Sequence, residues 1–138
     1  MAKIFFDANI LVYTVDRHDA EKQKAARNVL RKAVEEEVPV ISTQVIQEFY
    51  SAVTARLNMD KIAAKSIVHN LHRIEIVQIN LNLIEQGIDI SILSQLSFWD
   101  GLIIAAAEQA NCSVIYSEDL TEGQVIRGVR VVNPFAVH

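Results

Sequence analysis

The sequence predicts an α/β fold: a three-layer α/β/α domain around a central, mainly parallel sheet. Three observations predict it. Short apolar runs of strand type alternate with stretches of helical periodicity. No hairpin turn joins one strand to the next, so the strands must run parallel, with helices on both faces of the sheet. The length of 138 residues suits one domain, spanning residues 1–138, with one core.

The elements follow in chain order. Lys3-Ile-Phe-Phe6 is short, apolar and aromatic and reads as a strand that ends at Asp7-Ala-Asn9; residues 9–15 read as a short helix. From Asp19 to about Val38, Ala26, Val29, Leu30, Ala33 and Val34 recur at three- and four-residue steps, which predicts a helix stopped by Pro39. Val40-Ile41 is a second, buried strand, closed by Ser42-Thr43, good residues for starting a helix. Val45, Ile46, Phe49 and Val53 make an apolar stripe for that helix, to about Leu57. A further helix is predicted from Asp60 to His72, with Ile62, Ile67 and Leu71 inward, and Glu75 to Ile79 alternates like a third strand. Asn82 to Gln95 reads as a helix with Gly87 as its weak point. Trp99 to Ala110 is apolar nearly all round, the mark of a buried helix. Ser113 to Tyr116 and Val129 to Val132 complete the strands, the last closed by Asn133-Pro134.

Composition excludes several classes. With 51% hydrophobic and 22% charged residues the chain is a folded globular protein and not a disordered one. Its one cysteine, Cys112, allows no internal disulfide, and its setting before an apolar run reads as a buried structural thiol. The longest apolar stretch, Leu102 to Ala107, is too short to cross a bilayer, and no cleavage signal follows the first residues; the expected location is cytoplasmic, without a membrane. A formal charge of −4 lacks the global basic signature of many nucleic-acid binders, although carboxylates that hold cations would present a different surface to a polyanion.

In open parallel sheets ligands bind beyond the carboxyl ends of the strands. Few acids lie there. Asp7 follows the first strand, Glu48 lies within two turns of the start of the next helix, Asp100 is in the first turn of the buried helix, and Asp119 follows the fourth strand in Ser117-Glu-Asp-Leu120. Each has a plain structural reading as well. Asp7 is placed to cap a helix, Glu48 to be a solvated helix residue, Asp100 to cap its own helix in Ser97-Phe-Trp-Asp100, and Glu118 or Asp119 to be a polar turn. Taken together they favour chemistry, because clustered carboxylates without cations repel one another. Hard cations such as Mg²⁺ take oxygen ligands, and the ions can orient a water, lower its pKa and neutralise charge on a phosphodiester. No His or Cys pair has zinc spacing, and His18, His69 and His72 are scattered on presumed helix surfaces.

These residues carry a resemblance. The stretch Phe5-Phe-Asp-Ala-Asn-Ile-Leu-Val-Tyr13 resembles the opening of PIN-domain proteins, Gln47-Glu48-Phe49 their second acidic motif, and Phe98-Trp-Asp-Gly-Leu-Ile-Ile-Ala-Ala106 their third. Tyr116-Ser-Glu-Asp-Leu120, with Gly123-Gln124 and Val131 to Phe135 behind it, is similar to the C-terminal end of VapC-like toxins. The resemblance implies an Mg²⁺- or Mn²⁺-dependent endoribonuclease, the toxin of a type II toxin–antitoxin pair, with RNA as substrate, a cognate antitoxin that blocks the site, and a homodimer. It implies that Asp7, Glu48, Asp100 and Asp119 are the catalytic, metal-holding acids. Asn9 is implied as a support, and so is Ser117, which stands where the family often has threonine.

Two basic groups are candidates for phosphate contact: residues 17–32, where Lys24, Arg27 and Arg31 share a helical face, and Arg56 with Lys61 and Lys65. The rival functions are a phosphatase of the haloacid-dehalogenase type, a housekeeping PIN nuclease and a catalytically silent α/β binding module. The phosphatase wants a second aspartate two residues after the first, where this chain has Asn9.

Overall fold

The structure is a computed structural model, and it describes residues 1–136. Six strands form one sheet in the order β3-β2-β1-β4-β6-β5: β1 is Lys3–Phe6, β2 Val38–Ser42, β3 Glu75–Val77, β4 Val114–Tyr116, β5 Val125–Ile126 and β6 Val129–Val132. All neighbours pair in parallel except β5 with β6. The helices that flank the sheet are α1 (Ala8–Tyr13), α2 (Ala20–Glu36), α3 (Thr43–Ala55), α4 (Lys61–Asn70, extended by a 3₁₀ turn Leu71–Arg73), α5 (Leu81–Ser94) and α6 (Phe98–Gln109). The three-layer α/β architecture with a mainly parallel sheet is therefore present.

β1 lies in the middle, with Phe5 opposite Val40 on one side and Ile115 on the other. Phe5, Phe6, Val40, Ile41 and Ile115 are wholly buried, and each large apolar side chain so placed contributes roughly 1.5–3 kcal/mol. Parallel strands so thoroughly covered read as continuous apolar runs, which is why periodicity of two is absent from Lys3–Phe6.

The structure departs from the sequence reading in four places. Pro39 does not merely stop a helix: it lies inside β2, opposite Ile4. It is tolerated because Val38 N donates to Ala2 O of the chain beside it, so an N–H at Pro39 would point the other way, where β3 begins only opposite Val40. A hairpin that the sequence reading lacked joins β5 to β6. Its turn is made by Arg127 and Gly128, both at positive φ (52° and 79°), and arginine is not the usual residue there. Ile62 and Val34 are exposed; α4 buries Ala64 and packs Ile67 and Val68 instead, and α2 buries Ala26 and Ala33. Gly87 is no weak point. α5 and α6 cross so closely that a Cβ on Gly87 would lie 3.0 Å from Leu102 Cα, and one on Gly101 would lie 2.4 Å from Gly87 O.

Among the described residues no single helix is long and apolar enough to cross a membrane.

The α5–α6 crossing generates the first prediction. Gly101→Ala adds a methyl into backbone and should cost at least ~2 kcal/mol, despite the ~1 kcal/mol that alanine gains in helix propensity. Urea unfolding measures it. An unchanged midpoint would mean that the two helices are not in contact at this point.

Candidate active site

Asp7 is placed by the sheet. Its N–H donates to Tyr116 O at 3.0 Å, continuing the pairing of β1 with β4, and its extended backbone hands the chain to α1. The side chain then turns inward and is only 7% exposed. Oδ1 accepts from Ala8 N at 2.7 Å, and Oδ2 accepts from Ser117 Oγ at 2.8 Å. Asp7 thus does cap α1, and the same carboxylate faces the sheet edge. Burial pushes its pKa up to about 6; the bonds from Ser117 and Ala8 oppose the rise, and the charges of Glu48 and Asp119 add to it.

Ser117, wholly buried just after β4, ties a second acid to the first. Its oxygen also accepts from Asp119 N at 3.2 Å and Leu120 N at 3.4 Å, so one hydroxyl folds the turn that carries Asp119. Asn9 Nδ2 donates to Asp119 Oδ2 at 2.5 Å. The next residue back, Glu118, accepts from Tyr13 Oη at 2.6 Å and from Lys22 Nζ, whose ammonium also lies over the rings of Tyr13 and Phe135. Burial works against Glu118's charge, but the bonds from Lys22 and Tyr13 hold its carboxyl below the usual range. Asp119 is pushed up by burial and by the charges of Asp100 and Glu118, against Arg56 and Asn9.

Glu48 is exposed on α3, which Ser42 starts by accepting from Val45 N at 3.3 Å. One turn earlier Gln44, 4% exposed, donates from Nε2 to Glu48 Oε1 at 2.9 Å and to Trp99 O at 3.1 Å. Burial, then the charges of Asp100 and Asp119, raise the pKa of Glu48 in spite of that bond. The other amide atom, Gln44 Oε1, is buried without a partner among the described residues.

Asp100 is half-buried in the first turn of α6. The cap there is Ser97, whose Oγ accepts from Asp100 N at 3.1 Å. The Asp100 carboxylate accepts no hydrogen bond from the helix start among the described residues, so capping does not occupy it. Its charge is felt instead at Glu48 and Asp119.

The four acids therefore come from four separate segments: the end of β1, α3, the start of α6 and the turn after β4. They form one coupled electrostatic unit. Among the described residues no group of three or more His, Cys, Asp or Glu side chains is arranged to hold a metal ion outright. The donor chemistry nevertheless fits a hard divalent cation. It offers carboxylate oxygens alone, three of them carrying charge the fold opposes, and such a cation keeps several of its waters. His69 and His72 stand with ring centroids 5.2 Å apart and no third ligand among the described residues.

Sequence reasoning missed Gln44, although its spacing of four from Glu48 on one helix face was a usable signal. It also missed the clamp of Tyr13 and Lys22 on Glu118, with the Phe135 ring against both of them, which long-range folding alone assembles. Of the basic residues on α2, Lys22 is paired with Glu118, Arg31 with Glu35, and Arg27 donates to Thr14 O at 2.8 Å.

The raised pKa of Asp7 makes a stability prediction. Below about pH 4 the carboxyl is protonated in both folded and unfolded chains. Between about 4 and 6 only the fold keeps its proton, so metal-free stability rises as pH falls through 6. Above 6 a constant cost of about 3 kcal/mol remains. Asp7→Asn keeps the size and the acceptor for Ala8 N. In EDTA it should melt higher than wild type at neutral pH, by ~1–3 kcal/mol, and show no gain near pH 4. Equal destabilisation at both pH values in thermal melts would contradict the perturbed carboxyl.

Comparison with known proteins supplies the context. The PIN domain pattern matches residues 4–121. Among curated proteins no sequence matches. Several solved structures share the fold. A toxin–antitoxin complex from Klebsiella pneumoniae superposes with a TM-score of 0.71 at 17% identity, covering 97% of this chain and 99% of that one. VapBC2 from Rickettsia felis, bound to a DNA fragment from its promoter, gives 0.69 at 19% identity, covering 94% and 97%. Mycobacterium tuberculosis VapC20, described as a sarcin-ricin loop-cleaving toxin, gives 0.66 at 17% identity, covering 84% and 89%. The matched region runs from β1 through Asp119 and so takes in all four acids: the chain belongs to the PIN domain family.

Proposed function

We propose that the chain is a divalent-metal-dependent endoribonuclease, the toxin of a VapBC-type toxin–antitoxin pair. One observation carries this reading: four acids from four segments of a PIN domain, a nuclease family, gather at the carboxyl edge of a parallel sheet, where burial first and neighbouring acid charges second raise the pKa of Asp7, Glu48 and Asp119. A binding module has no use for such a cost, which ordinary folds avoid.

Asp7, Glu48, Asp100 and Asp119 would hold Mg²⁺ or Mn²⁺, which when bound neutralises charge building on a phosphodiester and lowers the pKa of an attacking water. The chain's own groups do the positioning. Ser117 fixes Asp7 and the turn of Asp119 together, Asn9 orients the Asp119 carboxylate, and Gln44 orients that of Glu48. RNA is cut at its backbone, so the acids need read no sequence. The toxin assignment rests on the folds of neighbours described as toxin–antitoxin complexes, and on the chemistry of inhibition: an acidic pocket attracts a basic side chain from an antitoxin. Leu81, Ile88 and Ile92 are exposed along α5, an apolar stripe that a homodimer would cover.

Purified protein should cleave RNA with Mg²⁺ or Mn²⁺ and stop with EDTA. Asp100→Asn, which spares the Ser97 cap, should lose at least ~2 orders of magnitude in rate, the scale of ~3 kcal/mol in barrier. Near-wild-type cleavage by the folded variant would remove Asp100 from the site. Expression of the chain should arrest growth, and co-expression of its antitoxin should relieve the arrest. Cleavage in vitro with harmless expression would instead favour a housekeeping nuclease.

A further inference from the structure

Beside the acids lies surface that bond cleavage does not use. Trp99, the chain's only tryptophan, is 63% exposed, although Gly101 to Ala107, further along α6, are buried. Its ring meets Phe98 edge-on, centroids 5.0 Å apart, and its carbonyl accepts from Gln44, the same amide that holds Glu48. Trp99 is thus locked to the side chain that orients one of the four acids.

Trp99 lines an open cavity of about 640 Å³ with Gln44, Gln47, Glu48, Ser51 and Arg56. Arg56 also borders a smaller hollow with Asn9, Tyr13 and Leu57. Leu57 in turn borders a cavity of about 490 Å³ whose wall carries Arg17, His18 and Arg27. The three hollows adjoin through Arg56 and Leu57 and make a trough from the indole, past Glu48, to Arg17, His18 and Arg27. Arg56 has no hydrogen bond or ion pair among the described residues, and Asp119 feels its charge. An exposed indole and an unpaired guanidinium next to an acidic centre match two parts of one ligand, a flat base and a phosphate.

We propose that this trough seats a single-stranded segment of the RNA substrate, with a base stacked on Trp99 and a backbone phosphate paired with Arg56. The proposal deepens the ribonuclease reading and rests on it. Single-stranded RNA is specified because a base must leave its helix to lie on an indole, whereas Arg56 alone would accept any polyanion. Stacking tolerates every base, so Trp99 selects for strandedness more than for sequence. The positive groups along the trough offset the repulsion between the carboxylates and an incoming backbone.

The lone tryptophan reports on its own occupancy. With wild-type protein in EDTA, a short mixed-sequence single-stranded oligoribonucleotide should quench the fluorescence, whereas the same sequence as a duplex, or inorganic tripolyphosphate, should not. Trp99→Ala should weaken single-strand binding, measured by anisotropy of labelled RNA, roughly tenfold, and Trp99→Phe should restore most of it. Arg56→Ala should weaken binding and lower the slope of log affinity against log salt by about one. Both side chains are exposed, so melting temperatures should not move. Wild-type binding by Trp99→Ala, or equal quenching by duplex and single strand, overturns the proposal. So does loss of antitoxin binding by Trp99→Ala with RNA binding intact, which would give the groove to a protein partner. Failure of wild-type protein to cleave RNA in Mg²⁺ or Mn²⁺ sinks the ribonuclease reading by a separate assay.

Discussion

A carboxylate buried where the central strand ends is the constraint on which the rest depends. Asp7 is placed by a backbone bond to β4, and its two oxygens are engaged by Ala8 N and Ser117 Oγ. Neither bond removes the cost of keeping a charge there, and the neighbouring acids increase it. A fold that holds such a group at neutral pH has spent stability on a local field. That field makes sense if cations and an electron-rich phosphodiester meet at this edge.

Parallel pairing explains why the edge exists. β1, β4 and β6 end side by side, and the chain leaves each through a polar turn: Asp7 after β1, Ser117 after β4, Asn133 after β6. Ser42 at the end of β2 starts α3 and thereby sets Glu48; Ser97 starts α6 and sets Asp100. Two small hydroxyl residues thus aim two acids, and a third, Ser117, joins the other two. The close α5–α6 crossing, permitted by Gly87 and Gly101, holds the first turn of α6 in place right beside Asp100. Packing far into the core and orientation at the edge are one problem in this fold.

Much of this was legible in the sequence because it is local. Apolar runs, helix-starting residues such as Ser42 and Ser97, and acids placed just past strands are all short-range signals; they located the sheet and the buried α6, and they singled out the four acids as candidates. What was not legible depends on distant partners. The β5–β6 hairpin hides because β5 has two residues and its turn uses Arg127 in a left-handed conformation. The roles of Gly87 and Gly101 need both helices to be seen at once. Ile62 and Val34 fit a helical stripe by spacing, yet the small Ala64 and the pair Ala26 and Ala33 are what the neighbours admit. Glu118 looked like turn filler until Lys22 and Tyr13 closed on it from elsewhere in the chain, backed by Phe135.

The central claim is that Asp7 belongs to a coupled acidic site that gains from a cation. Carbon-13 NMR of the side-chain carboxyls follows each acid directly through a pH titration, with and without Mg²⁺. Asp7 should titrate near 6 in EDTA, and its apparent pKa should fall when Mg²⁺ is added, as a bound cation competes with the proton. An Asp7 that titrates in the ordinary aspartate range and ignores Mg²⁺ would contradict the account.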